Sequence, residues 1–303
     1  MTTLLTQHPP AGDTAPVNRR TGSGRARERR QRQSAFVYIA IVVCVALFGG
    51  PFLWILLTAL AAREQLAEGA GGLLRFDNLQ WGNFVEAVTR VELGAYFGNS
   101  LFLATLTAVL TTASSATVGF AFARIRARGS KPLFTIVLAT MMIPHIATLI
   151  PTYMMFSRLS LVGTYWPWVL WGLSGSAYMI FLFRQFFAAI PLELEDAAII
   201  DGCGWPRIFV QIFLPLSRPI LLTSLLLQFT WAWGDYLTPA LLLTQDNTTL
   251  SVAVTNAYLD PLGNGIPTLQ AAGSILYILP ALVIFLFFQR YFISSALSSG
   301  VKG

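Results

Sequence analysis

The chain has 303 residues, of which 55% are hydrophobic and only 11% are charged. A soluble domain usually carries about twice that share of charged residues, so the composition excludes an ordinary soluble enzyme or binding module. In a membrane protein, the net charge of +6 is mainly a signal of topology, because Lys and Arg are concentrated in cytoplasmic segments.

The N-terminal segment, residues 1–33, is rich in Thr, Pro, Gly, Arg and Gln and has few apolar residues. This composition predicts a disordered basic cytoplasmic tail. A nucleic-acid role for the tail is disfavoured, because no aromatic residues alternate with its arginines. The apolar run that follows is too long for a cleavable signal peptide, whose apolar region spans roughly 7–15 residues, so we expect a retained helix.

Six apolar runs are long enough to cross a bilayer, for which a helix needs about 20 apolar residues. Backbone polar groups in lipid must be satisfied within their own segment, which favours helices. We therefore predict an all-α membrane protein whose residues 34–303 form one transmembrane domain. The six predicted helices cover, in chain order, about 35–61, 101–123, 133–156, 166–187, 219–243 and 269–293.

The Lys and Arg residues divide unevenly between the two sides of this topology. Most of the 20 lie in the N-terminal tail, in the loops after helices two and four, and after helix six. By the positive-inside rule, both termini are predicted to be cytoplasmic. The exceptions fall on the outer side and are Arg63, Arg75, Arg90 and Arg158.

The outer segment between helices one and two carries the residues Phe76–Phe84, which predict a turn followed by a short surface helix. Cys44 lies within helix one and Cys203 in a polar loop. The two cysteines are therefore at different depths, and no disulfide is expected.

The connector between helices four and five, residues 188–218, is long and patterned. Pro191 fits the first turn of a helix, and the acidic residues within 193–196 suit the positive end of the helix dipole. Gly202 is placed to end this helix as a left-handed cap. Pro206 then opens a second short helix over 207–213. The connector is thus predicted to be a helical hairpin on the cytoplasmic face.

The hairpin carries a spaced motif. Asp196-Ala197-Ala198 is followed after three residues by Gly202, and nine residues later by Ile212, Leu214 and Pro215. This pattern resembles the EAA loop of ABC importer permeases, with Asp in the place of the usual Glu.

Other segments resemble the carbohydrate-uptake branch, and within it the maltose-type second permease. Asn99-Ser100 precedes helix two, Pro144 and Pro151 punctuate helix three, and residues 299–303 match the short C-terminal tail. Trp233-Gly234-Asp235 resembles the W-N-D segment of that branch, with Gly in the place of Asn.

The resemblance implies a multi-pass cell-membrane subunit that forms half of a translocation path with a second permease subunit. Two copies of a P-loop ATPase would drive it, and an extracytoplasmic solute-binding protein would deliver a carbohydrate or related polar solute. ATP and magnesium would be bound by the ATPase and no cofactor by this chain, which contains no G-x-x-x-x-G-K-[ST] sequence. The residues implied in ATPase coupling are Glu195, Asp196, Ala197, Ala198, Asp201, Gly202, Cys203, Leu214 and Pro215.

Three residues are candidates for the translocation path: His145, Trp231 and Asp235. Each has an alternative role. His145 could be a neutral histidine bonded to a carbonyl that Pro144 leaves free, and Asp235 could have a structural partner. Trp231 could pack or anchor at the membrane interface rather than stack on a sugar ring.

Two other classes of protein are weighed against the importer. A secondary transporter or channel would use buried ionisable relays, and the predicted helices offer little beyond Asp235 and His145. A membrane enzyme would need a cluster of catalytic groups, which two scattered His and two Cys do not supply. For the hairpin itself, the alternative is an amphipathic loop lying on the membrane surface, although its acidic residues disfavour that.

Overall fold

The computed structural model describes residues 22–75 and 78–300. It divides into two compact units, with the boundary in the chain after Trp54. The structure is nearly all helical, as predicted. Among the described residues, the β structure is limited to one isolated antiparallel bridge between Leu259 and Gly265.

The first helix, α1, covers Gly22–Leu60. Its apolar part, Val37–Leu60, is 24 residues long with a mean hydropathy of 2.5, which is enough to cross a membrane. Residues 22–33, which lie within the segment predicted to be disordered, are helical in the structure. Arg, Glu and Gln are good helix formers, so the apolar helix extends into this basic segment. Residues 1–21 lie outside the described residues.

The segment after α1 forms three short helices: α2 (Arg63–Ala67), α3 (Ala70–Leu73) and α4 (Gly82–Arg90). The last is the predicted surface helix. The side-chain amide of Asn83 fixes its start by donating to the carbonyl oxygens of Ala59 and Ala61, at 2.8 and 3.1 Å. Phe76 and Asp77, in the predicted turn, lie outside the described residues.

The long helix α5, Leu93–Arg124, is central to the second unit. It packs against α8 (Trp166–Ser174), α9 (Ala177–Ala188) and α13 (Arg218–Gly234). Small residues permit these contacts. A Cβ on Gly119 would lie only 2.6 Å from Cβ of Phe183 on α9. Helix α5 begins eight residues before the predicted start at residue 101. The prediction followed the apolar run alone, and the helix extends beyond that run at its N-terminal end.

Predicted helix three is broken into α6 (Ser130–Thr140) and α7 (His145–Arg158), which are bent by 98°. Pro144 stands between them in an extended conformation, because proline disfavours helix at and before its position. Predicted helix four is interrupted at Gly175, whose φ of +75° is accessible mainly to glycine.

Predicted helix five is also broken. Helix α13 ends at Gly234, and α14 (Leu237–Leu242) begins after the extended residue Asp235. Two helices complete the chain, α15 (Leu250–Asn256) and α16 (Pro267–Gly300). Three described helices are long and apolar enough to cross a membrane, and the number reaches six if each of three bent pairs counts as one span. The predicted count of six is therefore reached only when each bent pair is taken as one span.

Candidate functional site: a helical hairpin and a cavity between helices

The first arm of the hairpin is helix α10, Glu193–Ile200, with three acidic residues in its first turn. Gly202 ends it with a φ of +78°, as predicted. The amide of Gly202 donates to the Ile199 carbonyl, and the amide of Cys203 to the Ala198 carbonyl, both at 2.9 Å. This pair of bonds is a Schellman cap, which satisfies carbonyl groups that the helix end would otherwise leave unpaired.

The second arm differs from the prediction of a helix over 207–213 that Leu214-Pro215 would stop. It consists of α11 (Trp205–Ile208), a π-helical turn (Phe209–Phe213) and α12 (Leu214–Leu216). Pro215 lies in the first turn of α12, where its missing N–H costs little. The helical arm therefore continues through Pro215 and ends at Ser217.

The structure places some of the predicted ATPase-coupling residues at the surface and others in the interior. Asp196, Ala197, Asp201, Gly202 and Pro215 are exposed, and Cys203 and Leu214 are half-buried. Glu195 and Ala198 are buried within the chain, so they do not form part of its outer surface.

Sequence reasoning missed two further features of the hairpin. Ile200 is 85% exposed and Ile199 47% exposed, beside the acidic residues. An apolar pair just before a Gly cap is the signal that could have identified this exposed patch.

The second missed feature is Arg124, the last residue of α5, which the sequence presents only as one of several basic loop residues. Its Nη1 lies 3.4 Å from Oε2 of Glu195, and Nη2 donates to the carbonyl oxygen of Phe187 at 2.5 Å and to that of Ile190. The side chains of Arg124 and Glu195 are only 3% and 10% exposed. No spacing in the sequence distinguishes Arg124 from its exposed neighbours Arg126 and Arg128.

A cavity of about 660 Å³ lies between α5, α7, α8, α13 and α14. It brings together the three translocation-path candidates, His145, Trp231 and Asp235, which are far apart in the sequence. Most of the remaining lining residues have a hydroxyl, amide or indole group in the side chain. These other side chains include Thr107, Thr111, Thr148, Thr152, Trp168, Trp171, Gln228, Thr230 and Thr238.

Two hydroxyl groups of the cavity wall lack hydrogen-bond partners among the described residues. The hydroxyls of Thr107 and Thr238 are buried and have no hydrogen-bond partner among the described residues. Buried hydroxyls are normally paired, so these two are exceptions within the cavity wall. The indole of Trp231 is 73% exposed. The cavity can therefore offer hydrogen bonds and a flat apolar surface to a polar solute.

Asp235 has a structural role as well as a place in the cavity wall. One carboxylate oxygen, Oδ1, accepts a hydrogen bond of 3.1 Å from the Thr238 amide at the start of α14. Its backbone carbonyl accepts one of 2.8 Å from the Ser251 hydroxyl. Asp235 thus fixes the break between α13 and α14. Within the described residues, no group of three or more His, Cys, Asp or Glu side chains could hold a metal ion.

Comparison with known proteins gives a consistent result. Residues 115–296 match the family described as binding-protein-dependent transport system inner membrane component. The arabinooligosaccharides transport system permease protein AraQ of Halalkalibacterium halodurans is 35% identical, over 87% of this chain and 94% of that protein. The melibiose/raffinose/stachyose import permease protein MelC of Bacillus subtilis is 32% identical, also over 87% of this chain and 94% of that protein.

The lactose transport system permease protein LacG of Rhizobium radiobacter is 28% identical, over 82% of this chain and 89% of that protein. A chain of a bacterial ABC transporter that imports the acidic polysaccharide alginate has the same fold, with a TM-score of 0.73 and 20% identity. The match covers 92% of this chain and 100% of that one. The chain is therefore a member of the binding-protein-dependent transport system inner membrane components and, like these sugar-transport relatives, a non-catalytic permease subunit of an ABC importer.

Proposed function

We propose that this chain forms half of the translocation path for a carbohydrate or a closely related polar solute, with a second permease subunit forming the other half. The observation that carries the proposal is the cavity containing His145, Trp231 and Asp235. The carbohydrate class follows from the names of its relatives and from the chemistry of the cavity wall.

That wall suits a sugar or polyol in two respects. The threonine hydroxyls of the wall, among them those of the exposed residues Thr148 and Thr230, can exchange hydrogen bonds with the hydroxyls of a solute. The exposed face of Trp231 can cover the apolar C–H face of a sugar ring, since indoles combine a large apolar surface with a polar N–H. A strongly charged solute would find few counter-charges here.

The hairpin provides the contact with a separate P-loop ATPase, of which two copies would bind ATP and magnesium. The docking surface consists of the exposed residues Asp196, Ala197, Asp201 and Gly202, with Cys203 at its edge. Exposed Ile199 and Ile200 add an apolar patch that an ATPase cleft can bury. Glu195 and Ala198 act from inside the chain rather than by direct contact.

The orientation follows from the same assignment. If the hairpin contacts a cytoplasmic ATPase, the basic loop containing Arg126, Arg128 and Lys131 lies on the same side. The positive-inside rule then places both termini in the cytoplasm of a multi-pass membrane protein with six spans. An extracytoplasmic solute-binding protein would deliver substrate to the opposite face.

Co-purification and reconstitution test this proposal. The tagged chain is purified in mild detergent, its partners are identified by mass spectrometry, and the complex is reconstituted with the solute-binding protein. We expect a second permease, an ATPase and ATP-dependent uptake of the sugar that the binding protein recognises. Uptake by the chain alone without ATP would contradict the proposal and favour a secondary carrier.

A further inference from the structure

The guanidinium of Arg124 joins four segments that are separate in the sequence. Besides Glu195 of α10 and the carbonyl oxygens of Phe187 and Ile190, its Cζ lies 4.9 Å from the centroid of the Phe213 ring in the second hairpin arm. The side chain thus holds both arms of the hairpin and the end of α9 against the end of α5.

The geometry depends on the forked shape of the guanidinium. Nη1 contacts the carboxylate while Nη2 donates to both carbonyls at the end of α9. Lysine presents one compact ammonium on a flexible stem and cannot reproduce this planar arrangement. The carbonyls at a helix C-terminus are short of donors and favour a cation, which explains why an arginine is accommodated there.

The contact between Arg124 and Glu195 is buried, but its hydrogen-bonding groups are not all paired. Nε of Arg124 and Oε2 of Glu195 have no hydrogen-bond partner among the described residues. A buried ion pair is weak evidence for stability, because desolvation of the two charges offsets their attraction. A role in positioning the hairpin accounts better for the pair than a contribution to stability does.

Helix α5 also reaches the cavity. Thr107 and Thr111 of this helix line its wall, and 17 residues of helix from Thr107 to Arg124 span about 25 Å. A buried hydrogen bond of 2.9 Å between the hydroxyls of Thr112 and Ser224 ties α5 to α13, which carries Trp231. The arginine therefore lies at one end of a continuous helix whose middle forms part of the cavity.

We infer that Arg124 is a positioning residue that locks the coupling helix α10 to α5, so that movement of the hairpin is transmitted along α5 to the cavity. The inference deepens the proposed function and rests on the hairpin being the ATPase contact. Glu195 is then the inner attachment point of the hairpin, and the exposed residues of the motif form its outer, docking side.

The test uses the reconstituted complex with ATPase and binding protein, and the variants R124Q, R124K and E195Q. The matched control is R126Q, which removes the same charge two residues further along the chain at an exposed position. Three quantities are measured: the amount of ATPase that co-purifies, the rate of ATP hydrolysis, and the sugar transported per ATP hydrolysed.

We expect R124Q and E195Q to retain the ATPase while transport per ATP falls roughly tenfold, since each leaves a buried group unpaired. R124K should not restore transport per ATP to its normal value, and R126Q should transport as much per ATP as the unmodified chain. In the double variant R124Q/E195Q the loss should be no larger than that of the worse single variant, because both changes break one contact.

Two results would overturn the inference. One is transport per ATP in E195Q within about twofold of R126Q, a measurement that stands even if R124Q fails to accumulate. The other is a parallel fall of transport and ATP hydrolysis in proportion to assembled complex, which indicates a structural role only. If the ATPase fails to co-purify even with the unmodified chain, it is the proposed function, and with it this inference, that fails.

Discussion

The hairpin is built from one continuous stretch of chain, residues 188–218, whereas the cavity is assembled from five helices whose contributions extend from Thr107 to Thr238. Caps, turns and the spacing of the motif define the hairpin locally. The cavity forms where helices break, at Pro144, Gly175 and Asp235. One region therefore has a linear signature, and the other exists only in the folded chain.

If the hairpin acts through its local shape, a change at its turn should have the largest effect. In G202V, a β-branched residue would have to adopt a φ of +78°, at a cost of about 1–2 kcal/mol. We expect transport to fall at least about tenfold, because the Schellman cap and the orientation of α10 are lost. The measurement is substrate-stimulated ATP hydrolysis and uptake in proteoliposomes.

The matched control for this change is G204A, two residues further along the turn. Gly204 has a φ of −78°, and a Cβ there would lie 3.9 Å from Cδ of Pro206, an ordinary contact. G204A should hydrolyse ATP and take up substrate like the unmodified chain. Equal activity of G202V and G204A would show that the shape of the turn does not matter for coupling.

In the cavity, W231A should weaken substrate binding with little effect on folding, because the indole is already 73% exposed. Loss of a stacked ring costs roughly 0.5–1.5 kcal/mol, which is up to about tenfold in apparent KM for uptake. ATP hydrolysis without substrate should not change. The control is W166A at the start of α8, which is also exposed. An unchanged KM combined with loss of the second permease would instead make Trp231 an interface residue.

Two threonine variants on α5 distinguish a role in the cavity from a role in stability. T107V removes a hydroxyl without a partner among the described residues, so the melting temperature should hold or rise while uptake falls a few fold. T112V breaks the buried bond to Ser224 and should lower stability by about 1 kcal/mol with unchanged substrate preference. The reverse pattern would show that the cavity wall as described is not the solute path.

The smallest effect is expected at a residue that belongs neither to the hairpin nor to the cavity lining. The Tyr258 hydroxyl, in the loop before α16, donates to the Ala87 carbonyl at 2.9 Å, and burial raises its pKa to about 12. Y258F should lower stability by about 1 kcal/mol and leave transport unchanged. Because the folded pKa is raised, the advantage of tyrosine is present below the ordinary pKa of 10.0 and shrinks as pH rises towards 12. Thermal unfolding at pH 8 and pH 11 measures this, and a constant difference would contradict it.

The contrast between the two regions also explains what the sequence could predict. The acidic first turn, the Gly202 cap and the motif spacing are local, so α10 and its cap were predicted correctly. The π-helical turn at Phe209–Phe213, which includes the buried Phe213, was missed because no local sequence signal marks it. Proline at position 215 reads as a stop in the sequence, although a first helical turn tolerates it.

The positions at which the predicted spans break were harder to predict from the sequence than the hairpin. Apolar content continues through Pro144 and through Gly234-Asp235, so each appeared as one run. His145, Trp231 and Asp235 were identified one by one, but their proximity follows from the bend between α6 and α7 and from the packing of α13 on α5. Arg124 could not be identified, since only the fold brings Glu195 and the end of α9 to it.

The central claim, that the hairpin is where an ATPase docks, is tested most directly by crosslinking from Cys203. With Cys44 replaced by Ser, Cys203 is the chain's remaining cysteine and is half-buried at the edge of the docking surface. A photoreactive maleimide on Cys203 in the assembled complex should form an adduct with the ATPase. The same label on L262C, in a chain whose two native cysteines are replaced by Ser, should not. Leu262 is 87% exposed in the loop between α15 and α16, on the face that the proposed topology sets opposite the ATPase. An ATPase adduct from position 262 and none from Cys203 would contradict the account.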